Sequence, residues 1–157
     1  MNDLRRAAIL AVIDANDWTE LSDFDAAAAG YATTTVHERV PKGVLFQELD
    51  NFVHASGAPV WEAIEASVAL TGEAEPVAIA CRAAVRLRDA GPDYPPVNVQ
   101  SPMLQTQLTI LVAGGILTQA QADLLAALGD REVTIWEAGD VSLPVWERDV
   151  KEARNGD

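Results

Sequence analysis

The chain carries two histidines, one cysteine and 24 carboxylates, the side chains from which a metal centre, an acid–base pair or a nucleophile would be assembled. Spacing decides whether they could act. Asp50 and His54 stand four apart in "KGVLFQELDNFVHAS" (42–56), which has helical periodicity, so they would share one helix face. A zinc site takes three or four ligands from converging elements, and this pair supplies too few. His37 sits beside Glu38 in "ATTTVHERVP" and has the same shortfall. Asp14, Asp17, Glu20, Asp23 and Asp25 are spaced somewhat like a calcium loop. That loop needs glycine at its sixth position and a closing glutamate, and both are missing, so the run reads as a solvated acidic face. Glu62 and Glu65, three apart on one helix, read as solvent-facing. Cys81, in "PVAIACRAAVRLR", has small apolar neighbours and no base beside it, the setting of a buried small hydrophobe. No serine lies in a nucleophile elbow, and no glycine-rich loop is followed by lysine. The expectation is no catalytic, cofactor-binding or metal-ligating residue and no cofactor: not an enzyme.

The elements that hold these residues read mainly as helices. Asp3 can cap a first helix with Leu4, Ala7, Ala8, Ala11, Val12 and Ala15 at helical spacing. Residues 17–31 read as a helix or two short turns, and 32–40 as a loop or short strand, because three threonines and a valine favour extended backbone before Pro41. Helices follow over 42–56, from Pro59 to Gly72, and from Glu73 to Ala90, with Arg82, Arg86 and Arg88 complementing the last helix's dipole. Within 42–56, Val44, Leu45, Leu49, Phe52 and Val53 form the apolar stripe. "GPDYPPVNVQSP" (91–102), with four prolines and a glycine, excludes helix. Ser101-Pro102 is a strong helix start. Gly114-Gly115 ends that helix, Thr118 and Gln121 form a capping box, and Leu124, Leu125 and Leu128 pack inward ahead of Gly129. "EVTIWEAG" reads as a short strand or extended arm. Ser142 and Pro144 can then start a closing helix through Ala153 with Val145, Trp146 and Val150 as its apolar face. The expected fold is mainly α, a compact bundle of about six or seven helices with short extended segments near 33–40 and 131–137. It forms a single helical domain, 1–157, with 91–100 as the candidate boundary between helices of 1–90 and a hairpin plus arm of 101–157.

Composition narrows the function classes. Net charge is −13, which disfavours nucleic acid and anionic membrane as partners, since both call for a basic face. No stretch reaches the ~18 apolar residues of a membrane span, and Arg5-Arg6 before a short apolar run lacks the cleavage site of a signal peptide. Hydrophobic residues make up 49% but aromatics only 6%, so the four tryptophans stand out. Trp61 has helical neighbours and reads as core. Trp136 and Trp146 lie in the tail, where aromatics anchor either the tail to its own domain or a partner to the tail. The segments expected to make contacts are the threonine-rich stretch, with Thr33, Thr34, Thr35, His37 and Arg39, and the C-terminal arm, with Ile135, Trp136 and Trp146.

The order "ILVAGGILTQAQADLLAALGDREVT" (110–134) followed by "DVSLPVWERDVKEAR" (140–154) resembles the C-terminal halves of small proteins encoded by tailed bacteriophages. "TTTVHERVPKGVLFQELD" (33–50) is similar to their middle region, where an extended threonine-containing stretch leads into a helix. The resemblance implies a bacteriophage protein, located in the virion or the host cytoplasm. It would be a minor virion or tail-associated structural or assembly component whose partners are other virion or tail proteins or copies of itself. The alternative expectation is a small acidic regulator or inhibitor that binds a basic host protein. A hydrolase or metal enzyme comes third.

Overall fold

The computed structural model describes residues 1–156. It is mainly α, 58% helical, with nine helices and one two-stranded sheet among the described residues. In chain order these are α1 (Asp3–Ala15), α2 (Asp23–Ala29), β1 (Thr33–His37), α3 (Lys42–Asn51), α4 (Val60–Ser67), α5 (Glu75–Asp89), α6 (Pro102–Ala113), α7 (Gln119–Ala127), β2 (Asp130–Thr134), α8 (Ile135–Ala138) and α9 (Glu147–Asn155). No helix among them is long and apolar enough to cross a membrane.

The chain divides into two compact units, and the division is not the one expected at 91–100. Unit 1 joins the two ends of the chain, Met1–Val36 and Arg131–Asp157. Unit 2 is the continuous stretch His37–Asp130, and it contains 91–100. A composition break marks where the helix stops, whereas a unit boundary marks where packing stops. In unit 2 the proline-rich segment is tied in: Val40 and Val97 exchange backbone hydrogen bonds of 2.8 and 2.7 Å, and Val99 is buried.

Unit 1 is built around Trp136, the largest fully buried side chain. Its neighbours in the core are Ile9, Val12 and Ile13 of α1, Ala26 and Ala27 of α2, and Val150 and Ala153 of α9. The alanine run of α2 leaves room for an indole. The Trp136 Nε1–H donates to the Ala27 carbonyl (3.1 Å), its backbone N–H donates to the Gly30 carbonyl (3.1 Å), and a Cβ on Gly30 would collide with the ring. Trp18 meets the same ring edge-on, with centroids 5.7 Å apart. Arginines tie the ends together. Arg154 donates to the carbonyls of Trp18 (2.7 Å) and Leu21 (2.8 Å) and to Asp23 (2.8 Å), and Arg6 donates to the Ala153 carbonyl (3.0 Å). Across β1 and β2, the Ile135 N–H donates to Ala32 and the Glu38 N–H to Gly129, which fixes an antiparallel register.

Unit 2 has an aliphatic core drawn from α3 to α7, with Leu45, Leu49, Val60, Ile64, Leu108, Leu111 and Leu125 buried alongside Phe46 and Phe52. The expected caps are present. The Ser101 hydroxyl accepts from the Leu104 N–H, and Thr118 and Gln121 satisfy each other's backbone N–H groups.

Several boundaries differ from the sequence expectation. Asn2, not Asp3, caps α1, and Leu4 lies on the exposed side. Helix α3 stops at Asn51 because the backbone of 52–60 turns back on itself: His54 donates to Ala58, and Val60 donates to Phe52. Val44 and Val53, placed in the apolar stripe, are exposed, and so is Leu124 of α7. The last helix begins at Glu147, later than Ser142 or Pro144, and is opened by the Asp149 carboxylate, which accepts from the Trp146 N–H (2.9 Å). The extended reading of 131–137 holds only to Thr134, where another capping box, Thr134 with Glu137, starts the single turn of α8.

Candidate functional site

His54 is not on a helix and does not face Asp50. Its Nδ1 pairs with the Ser56 hydroxyl (2.9 Å) and its Nε2 with the Gly115 carbonyl (2.9 Å). One ring nitrogen holds the turn, and the other ties it to the loop between α6 and α7. Asp50 instead pairs with Arg88 (3.4 Å), whose guanidinium lies 4.1 Å from the centre of the Trp61 ring. Trp61 is half-buried; it donates to Glu65 (2.7 Å) and packs edge-on against Phe46. Cys81 is buried, and removal from water pushes its thiol above its ordinary range, which opposes nucleophilic use. Among the described residues, no cluster of three or more His, Cys, Asp or Glu side chains could hold a metal ion.

The contact residues expected from sequence are scattered by the fold. Thr33, Thr35 and His37 lie on the exposed face of β1, and Thr34 alternates to the half-buried face, the period-2 pattern of a strand. Arg39 is exposed beyond the strand. His37 Nδ1 sits 2.6 Å from Asp130 Oδ1, a pair that closes the start of β2. Ile135 is half-buried against the unit 1 core. Trp136 is 0% exposed and cannot touch a partner while unit 1 is folded; its place in the contact set is corrected, and it anchors its own unit. Trp146 is the opposite case, 62% exposed.

Trp146 does not stand alone. A groove of about 320 Å³ in unit 1 is lined by Trp146, Phe24 and Tyr31, together with Ala27 and Ala28 of α2 and the charged residues Glu147 and Arg148. The local structure explains each position. Phe24 lies in the first turn of α2, between Asp23 and Asp25, and is 65% exposed. Tyr31 follows α2, and its hydroxyl accepts from the Val145 N–H (2.9 Å) and donates to the Val145 carbonyl (3.2 Å), which locks its ring beside the strap that precedes α9. Trp146, next along that strap, is the N-cap residue of α9, and the bond from its own N–H to Asp149 fixes its backbone. Aromatic side chains have few rotatable bonds, so three of them held on ordered backbone present large apolar area at low conformational cost. Phe24 and Tyr31 went unnoticed in the sequence. The available sign was an aromatic flanked by aspartates in the first turn of a helix whose buried face is alanine. In comparison with family models, curated proteins and solved structures, nothing matches this chain.

Proposed function

We propose that this chain is a non-enzymatic component of a tailed bacteriophage, minor in the virion or associated with the tail, which works by holding another protein through the Phe24–Tyr31–Trp146 groove. The observation that carries this reading is the contrast between the tail tryptophans: Trp136 is consumed by the core, while Trp146 stands in water beside two more aromatics. Aromatic side chains are enriched among the residues that dominate interface energetics, and scattered single ones would need no explanation. The resemblance of residues 110–134 and 140–154 to small tailed-phage proteins supplies the setting. The exposed β1 residues Thr33, Thr35 and His37, with Arg39, form a second polar contact segment. The test is mass spectrometry of purified particles. The chain should be present at a fixed copy number, and Trp146→Ala should lower that number without altering its circular dichroism. Absence of the wild-type chain from particles overturns the reading.

The net charge of −13 favours a second reading, a regulator that docks on a basic host protein. Binding of that kind weakens steeply as salt rises, because surface charges are screened beyond ~8 Å at physiological ionic strength. Aromatic-groove binding would change little. A salt titration of the isolated complex separates the two.

A further inference from the structure

Unit 2 contains a space that the contact function does not use. Between α3, α4, α5 and α6 lies an apolar cavity of about 50 Å³, walled by leucines and alanines together with Phe46, Ile64 and Gln107. Outside it, an open hollow of about 450 Å³ lies between α5, α6 and the proline-rich segment. The two spaces meet at Ala83, Leu87, Leu104 and Gln107, which line both. The result is a dry pouch with a wetter mouth.

The chemistry grades from one end to the other. The cavity wall is almost entirely hydrocarbon, and an apolar void of this kind offers no partners to hold water. Gln107 is half-buried at the neck with no hydrogen-bond partner among the described residues. The mouth is walled by Tyr94, Pro95, Pro96 and Met103, and it contains one cation, Arg86. Arg86 is the arginine of α5 left without a protein partner among the described residues: Arg82 donates to the Val68 carbonyl and Arg88 pairs with Asp50. No carboxylate lines the mouth, although the chain has 24 of them and a net charge of −13. Around most of such a surface an anion is repelled. Here the one charge that lines the mouth is positive, and the adjoining space is oil-like.

We infer that this pouch binds a small aliphatic carboxylate, its tail in the cavity, its chain through the neck and along the proline and methionine wall, and its head at Arg86. The site lies within unit 2 and does not depend on the protein-contact reading of unit 1.

The experiment is a titration of the full chain with straight-chain carboxylates from butanoate to decanoate, and with octan-1-ol, read by calorimetry and by methyl NMR. Affinity should rise about three- to fourfold per added methylene until the pouch is filled, then level off. The methyls of Leu87 and Leu104 should shift, and those of Leu124, exposed on α7, should not. Octanoate should be preferred over octan-1-ol by about threefold to fivefold, the scale of an exposed ion pair. Arg86→Gln, an exposed position that keeps the helix, should erase that preference and leave octan-1-ol binding unchanged. Ala83→Leu should narrow the neck and weaken octanoate at least about tenfold, the scale of losing one to two buried methylenes; the methyl shifts on the wild-type chain decide the matter if that variant melts early. The inference is overturned if affinity does not depend on chain length. It also falls if octan-1-ol binds as well as octanoate, or if the shifts spread evenly to Leu124.

Discussion

The two units solve the same packing problem with different materials. Unit 1 packs its helices around the buried indole of Trp136, met edge-on by Trp18, and fastens them with arginines that donate to backbone carbonyls. Unit 2 packs its helices through many aliphatic side chains and keeps a void among them. A core built on one large ring is specific and brittle, because every neighbour is shaped to that ring. A core of leucines spreads its stability over many contacts and tolerates imperfect filling. The difference extends to the surface. Having placed one tryptophan inside, unit 1 holds another outside on a rigid strap, while unit 2 exposes no comparable aromatic groove among its described residues.

The largest expected effect tests the brittleness of unit 1. Trp136→Ala removes the ring and its hydrogen bond to Ala27, and should cost about 3–5 kcal/mol in denaturant unfolding. Hydrogen exchange should accelerate first in α1, α2 and α9. If the amides of α5 and α6 accelerate equally, the distinction between the units fails. Gly30→Ala should mimic the lesion from the other side, because its methyl would occupy the space of the indole; about 1–3 kcal/mol is expected.

Next comes a paired test within one helix of unit 2. Leu125 is 2% exposed and Leu124 is 55% exposed. Leu125→Ala should cost about 2–5 kcal/mol, and Leu124→Ala should stay within about 0.5 kcal/mol. The sequence suggested that both pack inward, since adjacent leucines ahead of a glycine look alike without knowledge of which side the next helix covers. Equal losses would mean that α7 is rotated from the orientation described here.

That pair shows where the fold was legible. Features decided within four residues were readable: the Ser101-Pro102 start of α6, the Thr118–Gln121 box, and the extended run before Pro41. Their physics is local hydrogen bonding and backbone sterics. Features decided across the chain were not. Trp136 finds its seat 109 residues away at Ala27, and unit 1 is assembled from segments separated by all of unit 2. His54 looked helical because the stripe of α3 continues past Asn51. The backbone bond from Val60 to Phe52 ends that helix, and no periodicity reports it. Of the candidate contact surface, the sequence offered Trp146 both as a contact residue and as part of the last helix's apolar face; it is the N-cap of α9 and is exposed. Tyr31 joins it through its bonds to Val145, 114 residues away, and Phe24 through the packing of α2 on α9, where Arg154 donates to Asp23.

A third mutational contrast concerns the tryptophans' opposite roles. Trp146→Ala should leave unfolding free energy within about 0.5 kcal/mol of wild type, as exposed substitutions do. A loss approaching that of Trp136→Ala would place Trp146 among the supports of unit 1 and remove the groove from consideration as a contact surface.

The smallest effect separates the units by pH, and its sign differs in each. In unit 2, burial raises the Cys81 thiol above its ordinary 9.0, so the folded chain holds that proton more tightly than the unfolded one. The stabilisation is complete below pH 9.0 and is lost as pH rises through the folded value. In unit 1, the Glu137 carboxylate accepts hydrogen bonds from the Thr134 backbone and hydroxyl, which hold it below its ordinary 4.5. Its contribution is complete above pH 4.5 and disappears as pH falls through the lowered folded value. Alkaline destabilisation should therefore appear first in the hydrogen exchange of α5, and Cys81→Ala should flatten that limb. Acid destabilisation should appear first at the start of α8, where Glu137→Gln should flatten it. Because Glu137 is solvent-exposed, the acid limb should be the shallower of the two. An acid limb steeper than the alkaline one would show that unit 1 depends on the hydrogen bonds of its Glu137 carboxylate more than unit 2 depends on keeping the Cys81 thiol protonated.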